Sequence, residues 1–342
     1  MTLPSGSGNP TARIFLVGEA FGEQEERQGQ PFVGTSGHEL NRMLQEAGLL
    51  RSDCYVSNVV NARPPHNDIG AWIPTKKKDI KSNFVEWGGK VVHPCVVEGI
   101  AQLKQEINLV NPQLIITFGN TPLWALTGAD GVMKWRGSLL DYEGTRLIPT
   151  IHPAAVLRQW EFRSQVVHDL RRAARELTSP VKEPERNFKI RPSFNEVLDV
   201  LQGLTLEVAE GPLWLDLDIE TKPNQISCLG LSWSRTEALI IPFVSRTDRN
   251  GYWSEEEEAL IVYALYRLLT HSNCRVRWQN GLYDAQYVHR LWHFIPRHGQ
   301  DTMVSWHVMF AGQKKSLDYQ ASLLCDWYVQ WKPDKGVWKN GG

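Results

Sequence analysis

Residues 18–34 read GEAFGEQEERQGQPFVG and follow directly on the apolar run Ile14-Phe15-Leu16-Val17. The pattern is a short strand that feeds a glycine-punctuated, acidic loop. Gly18, Gly22, Gly29 and Gly34 let the backbone approach a ligand closely, and Gly18 and Gly22 are candidate substrate contacts. Glu19, Glu23, Glu25 and Glu26 place carboxylates where a phosphate-cradling loop would carry none. An acidic loop ending beside an aromatic, Phe32, suits an extruded base and a water or cation better than a triphosphate.

Three later segments extend the pattern: Ser57-Asn58-Val59-Val60-Asn61-Ala62-Arg63-Pro64-Pro65 after a β-rich run, Leu114-Ile115-Ile116-Thr117-Phe118-Gly119 as a central strand, and Pro149-Thr150-Ile151-His152-Pro153. In order and spacing these four stretches resemble the motifs of the uracil-DNA glycosylase superfamily, in particular its family 4 type. The resemblance covers the first half of the chain. It implies a three-layer α/β/α fold around a parallel sheet and uracil-containing DNA as substrate. Phe32 matches the base-stacking aromatic, a contact worth about 1–3 kcal/mol per base. Asn58 matches the uracil-reading asparagine, whose amide complements an edge presenting both a carbonyl and an N–H. His152 matches the histidine that stabilises negative charge developing on the base, with Pro153 beside it as a further substrate contact. Glu19 and Glu25 match acidic positions that orient water or offset charge on the sugar, and either can serve.

Two departures bear on these expectations. Family 4 members hold an iron–sulfur cluster on four cysteines; Ala62 stands where one is usual and no cysteine precedes Cys54, so no cluster is expected. Phe21 replaces the usual proline. Either its ring leaves a pyrimidine-sized cavity beside Asn58 and His152, favouring an enzyme, or it fills that volume, favouring a DNA-binding role.

The 342 residues are enough for about two domains. The expected division is a glycosylase-like domain over 1–178, a proline-bearing linker over 179–186 and a second domain over 187–342. A net charge of −1 gives no global nucleic-acid signature, so DNA contacts have to come from clusters such as Lys76, Lys77, Lys78 and Lys81, or Arg171, Arg172 and Arg175. Five dispersed cysteines without a C-x-x-C pair argue against a disulfide framework or a structural zinc. No apolar run approaches the roughly 18 residues a membrane helix needs, so a cytoplasmic protein without a membrane partner is expected, in the host cytoplasm if phage-encoded.

In the second half, Ser193 with Glu196 opens a helix through Leu201, and Ser254 with Glu257 caps another to Leu269. Between them lie three β-rich runs; after them come a strand over 275–278 and a helix over 282–292. Meander, helix, strand, helix is the order of an RNase H-like fold. Asp218 and Glu220, two apart on a strand, project from one face, as carboxylates holding a pair of hard cations must. With Asp284 in Asn280-Gly281-Leu282-Tyr283-Asp284 they resemble the first two motifs of DEDD-type 3′–5′ exonucleases fused to family A DNA polymerases. That resemblance implies Mg2+ or Mn2+ held by Asp218, Glu220 and Asp284, which would also be catalytic. The third motif is not found: no Tyr-x-x-x-Asp or His-x-x-x-x-Asp follows Asp284. Asp301 and Asp326 are substitutes for the fourth acid, although Asp301 before an apolar helix suits an N-cap.

Together these features imply a phage-like replication or repair protein. Uracil excision would be coupled to a proofreading-type exonuclease at the front of a DNA polymerase, with single-stranded or uracil-containing DNA and a polymerase domain or replication proteins as partners. The alternative is a catalytically weak DNA-binding module.

Overall fold

Ile14, Phe15, Leu16 and Val17 are all buried, so the strand they form is covered on both faces. The computed structural model describes residues 5–245 and 251–331, in two units. The first reaches Lys182 and takes in the described residues from Ala321 onward; the second is Glu183–Gln320.

The strands of the first unit are β1 (Ser7–Gly8), β2 (Ile14–Ala20), β3 (Cys54–Val60), β4 (Val85–Trp87), β5 (Lys90–Val92), β6 (Leu114–Phe118), β7 (Leu140–Tyr142) and β8 (Thr145–Thr150). Its helices are α1 (Glu23–Gln28), α2 (Thr35–Glu46), α3 (Pro94–Val110), α4 (Asn120–Thr127), α5 (Val132–Trp135), α6 (Pro153–Arg158) and α7 (Phe162–Thr178). One sheet has the order β1-β3-β2-β6-β8-β7. Its inner strands β3, β2, β6 and β8 are parallel and its short outer strands antiparallel. Alternation along β2 assigns the layers: Ile14 and Leu16 share a core with Leu40 and Leu44 of α2 and Val166 and Leu170 of α7. Phe15 and Val17 share another with Ile100 and Leu103 of α3 and Trp124 of α4. This is the expected three-layer α/β/α arrangement. The chain crosses from β2 to β3 on one side and returns to β6 on the other, so the crevice lies beyond the carboxyl ends of these strands.

The second unit holds β9 (Asn187–Lys189), α8 (Phe194–Glu210), β10 (Leu213–Lys222), β11 (Gln225–Ser232), β12 (Glu237–Pro242), α9 (Glu255–Leu269), β13 (Cys274–Trp278), α10 (Gly281–Trp292), β14 (His298–Asp301) and α11 (Thr302–Met309). Its sheet order is β14-β13-β10-β11-β12-β9, with β10, β11 and β12 as the expected antiparallel meander and β13 parallel to β10. Both capping boxes form. Helix α8 runs nine residues past Leu201, to Glu210, because Leu204 and Val208 continue its buried stripe. The unit is the mixed-sheet, RNase H-like architecture expected.

Two expectations are corrected. The sequence assigns everything after the linker to the second domain, whereas the described residues from Ala321 belong with the first unit. Buried polar groups hold them there. Arg136 Nη1 donates to Ser322 Oγ at 2.9 Å, Arg172 Nη2 to the Cys325 carbonyl at 2.7 Å, and the Leu139 N–H to the Tyr328 carbonyl at 2.7 Å. Arg171, Arg172 and Arg175 are not one open basic patch: the same segment covers Arg172, whereas Arg171 and Arg175 stay exposed beside acidic partners. Arg172 is 2% exposed, while Arg171 pairs with Glu46 and Arg175 with Asp326. Lys76, Lys77, Lys78 and Lys81 are exposed.

Candidate active site

After β2 the chain makes the short helix α1, and Glu25 on that helix is 7% exposed. Its Oε2 accepts from the Gly22 N–H at 3.2 Å and its Oε1 from the Gly34 N–H at 2.8 Å. The carboxylate therefore pins both ends of the loop that carries Phe32. Phe32 has a left-handed backbone, φ 54°, a conformation costing roughly 1–3 kcal/mol outside glycine. Close packing imposes it: a Cβ on Gly37 would stand 1.8 Å from the Phe32 carbonyl oxygen. The Phe32 ring stacks on His152 with centroids 5.6 Å apart and meets Phe118 edge-on at 5.9 Å.

Gly18 lies against this ring. A Cβ there would fall 2.5 Å from Phe32 Cε2 and 2.3 Å from Asn58 Oδ1, atoms that cannot both yield. Gly18→Ala is thus expected to displace the ring and the amide together and to lower base release by more than about 10-fold with modest change in melting temperature. Steady-state kinetics beside a thermal melt check this.

Asn58 on β3 is 3% exposed. His152 follows β8 and caps α6, its Nδ1 accepting from the Ala154 N–H at 3.1 Å. That bond leaves the proton of the neutral ring on Nε2. Burial, with a smaller contribution from Arg158, pushes the imidazole down to about 4, so it is neutral at physiological pH. Glu19 Oε2 accepts from Thr121 Oγ1 at 2.5 Å, and burial raises its carboxyl above the usual range. Glu19, Phe21, Gly22, Glu25, Phe32, Asn58 and His152 all line one cavity of about 460 Å3, within the roughly 300–1,000 Å3 range of small-ligand sites.

Most of the residues singled out by sequence therefore meet. Gly18 lies behind the wall, and Pro153 is the buried first residue of α6 rather than a lining group. Glu25 has both oxygens committed to backbone amides, which leaves Glu19 as the carboxylate facing the cavity. Phe21 forms part of the wall without closing the space. Sequence reasoning missed Thr121, Arg158 and Asn61. Thr121, just beyond the Phe118-Gly119 strand end, could have been found as a position at the same sheet edge. Arg158 carried no local signal.

The first unit does not fit a four-cysteine cluster, because it contains only Cys54, Cys95 and Cys325. Burial pushes the Cys54 thiol up to about 12 and Cys95 to about 11, so neither is a ready thiolate. The segment between Pro65 and Cys95 instead supplies Trp72, Ile73 and Trp87 to the core that Ala62 and Cys95 pack against. Trp87 meets Trp124 edge-on at 5.1 Å, and Trp124 Nε1 donates to the Gly88 carbonyl at 2.9 Å.

In the second unit Asp218 and Glu220 lie on the exposed face of β10. Asp284, 4% exposed on α10, accepts from the Ile219 N–H at 3.0 Å. Burial first, then the nearby charges of Asp218 and Asp301, push its carboxyl up to about 6. Yet among the described residues no three His, Cys, Asp or Glu side chains are grouped to hold a metal ion. Neither substitute completes the set. Asp301 caps α11 through the N–H groups of Met303 and Val304 and also accepts from Asn280 and Gly281, while Asp326 pairs with Arg175 in the first unit. No helix among the described residues is long and apolar enough to cross a membrane.

Residues 5–173 match the Uracil DNA glycosylase superfamily. The type-4 uracil-DNA glycosylase of Thermotoga maritima is 34% identical over 173 residues, spanning 49% of this chain and 79% of that protein. A DNA polymerase of Bacillus phage SP01 is 24% identical over 308 residues, 83% of this chain but 31% of the polymerase. Among solved structures, Escherichia coli RNase D aligns with 39% of this chain and 31% of its own, at 13% identity and a TM-score of 0.27. The Thermotoga similarity over most of that protein, with a family match whose residues 5–173 take in all four motifs, shows that the chain belongs to the uracil-DNA glycosylase superfamily.

Proposed function

We propose that the first unit hydrolyses the N-glycosidic bond of uracil in DNA. The observation that carries this is the meeting of Phe32, Asn58 and His152 on one cavity that Phe21 leaves open. Phe32, rigid in its strained backbone, is the platform for an extruded base. Asn58 reads the edge where a carbonyl adjoins an N–H. His152 Nε2–H, neutral and fixed by the Ala154 N–H, donates to the base oxygen on which negative charge collects as the bond from sugar to nitrogen breaks. Glu19 orients the attacking water, held in place by Thr121.

The second unit is proposed to engage DNA ends in the manner of a proofreading exonuclease and, as this chain stands, to cleave them poorly, since its three acids do not by themselves form a metal-holding group. The similarity to a phage polymerase over most of the chain supports a place at the front of a replicative polymerase, where a uracil pocket would meet the template.

Incubation with a single-stranded oligonucleotide carrying one uracil, in EDTA, is expected to yield free uracil and an alkali-labile abasic site. Added magnesium should give little shortening from the 3′ end. No release with protein in excess would contradict the glycosylase proposal and favour a DNA-binding module; rapid magnesium-dependent degradation would contradict the proposal for the second unit.

A further inference from the structure

At the end of β3 Asn58 is joined in a relay to two side chains, Asn61 and Ser57, that the chemistry above does not use. Ser57, Asn58 and Asn61 are 0, 3 and 4% exposed. The backbone N–H of Asn58 points at the Asn61 side chain, 3.2 Å from Oδ1. A backbone N–H can only donate, so the Asn61 atom facing it has to be the carbonyl oxygen; its Nδ2 then donates to Ser57 Oγ at 3.0 Å. The same oxygen lies 3.3 Å from the side-chain amide of Asn58, which must turn Nδ2 toward it. What remains for a ligand is Asn58 Oδ1, lying over Gly18, and the second Nδ2 proton.

We infer that Asn61 is a specificity-determining positioning residue: it fixes which way the Asn58 amide faces, and so makes the site accept uracil and reject cytosine. This rests on the uracil-reading role proposed for Asn58. Uracil offers an N–H beside a carbonyl, matching the fixed acceptor and donor. Cytosine offers a bare ring nitrogen and an amino group at those places, and would need the amide turned over. Turning it sets Asn58 Oδ1 against Asn61 Oδ1 in a buried site with no proton between them, an arrangement that costs a full unsatisfied polar group.

The test compares single-turnover base release by the full chain, Asn61→Ala and Asn61→Asp on single strands carrying one uracil or one cytosine. Asn61→Ala is expected to lose roughly 10- to 100-fold of the preference for uracil. Asn61→Asp, which keeps an acceptor facing Asn58, is expected to retain most of it. A purely structural role would lower both rates together and leave their ratio alone, so an unchanged ratio in a folded Asn61→Ala variant overturns the inference. Should that variant fail to fold, Asn61→Leu, which keeps the volume without the acceptor, decides: a lost preference supports the lock and an unchanged one overturns it. If the unaltered chain releases no uracil, the glycosylase proposal falls and this inference with it; release with unchanged preference in Asn61→Ala overturns the inference alone.

Discussion

His152→Ala is expected to slow uracil release roughly 100- to 1,000-fold, the usual cost of removing one preorganised donor from a developing oxyanion. Binding of uracil-containing single strands should change far less, because Phe32 and Asn58 remain; a loss confined to the KM would instead mark the histidine as a ground-state contact. The pH dependence separates this role from that of a general acid. With its imidazole held down to about 4, His152 donates through Nε2 while neutral, so the rate should show no inflection near the ordinary histidine value of about 6.5. Stability carries the complementary signature. The folded value lies below the unfolded one, so the contribution of this group is full above about 6.5 and is lost as the pH falls from there toward about 4. Across that window the melting temperature of the native chain should fall more steeply than that of His152→Ala.

Asp169→Ala is expected to destabilise the first unit by about 3–5 kcal/mol, the cost of leaving a buried charge unpaired. Asp169 and Arg136 are 1% exposed each. The aspartate accepts from Arg136 Nε at 3.0 Å and from Thr150 Oγ1 at 2.7 Å, while Arg136 also reaches Ser322. Thr150 is two residues before His152, and α5, immediately before Arg136, contributes Val132 and Met133 to the cavity wall. One aspartate thus ties together the strand that presents the histidine, a wall of the cavity and the segment that returns from beyond the second unit. Denaturant titration would measure the loss, and a shift below about 1 kcal/mol would show that the network does not brace the site.

What the sequence made legible were features with local signatures. The apolar runs of β2 and β6 follow from composition, and the capping boxes at Ser193 and Ser254 from spacing. Phe32 and His152 sit beside prolines and Asn58 in the last half of a strand, positions near the carboxyl edge of the sheet where side chains reach a crevice. Glu25 was legible as important, but not in its role: its two backbone acceptances depend on Gly34 coming near, nine residues on, which spacing does not reveal. Asp169 and Arg172 look like the charged side of an amphipathic helix, and only residues from 321 onward, together with Arg136, turn that side into an interior. Asn61 lay inside a quoted motif yet gave no signal, since its function is to orient a neighbour rather than to face the cavity.

The most direct measurement is a crystal structure of His152→Ala with a single strand carrying one uracil. The expected result is the extruded uracil stacked on Phe32 with its carbonyl and N–H edge on Asn58 and its glycosidic bond toward Glu19. A strand bound on another surface, or a cavity occupied by the Phe21 ring with the base left outside, would contradict it.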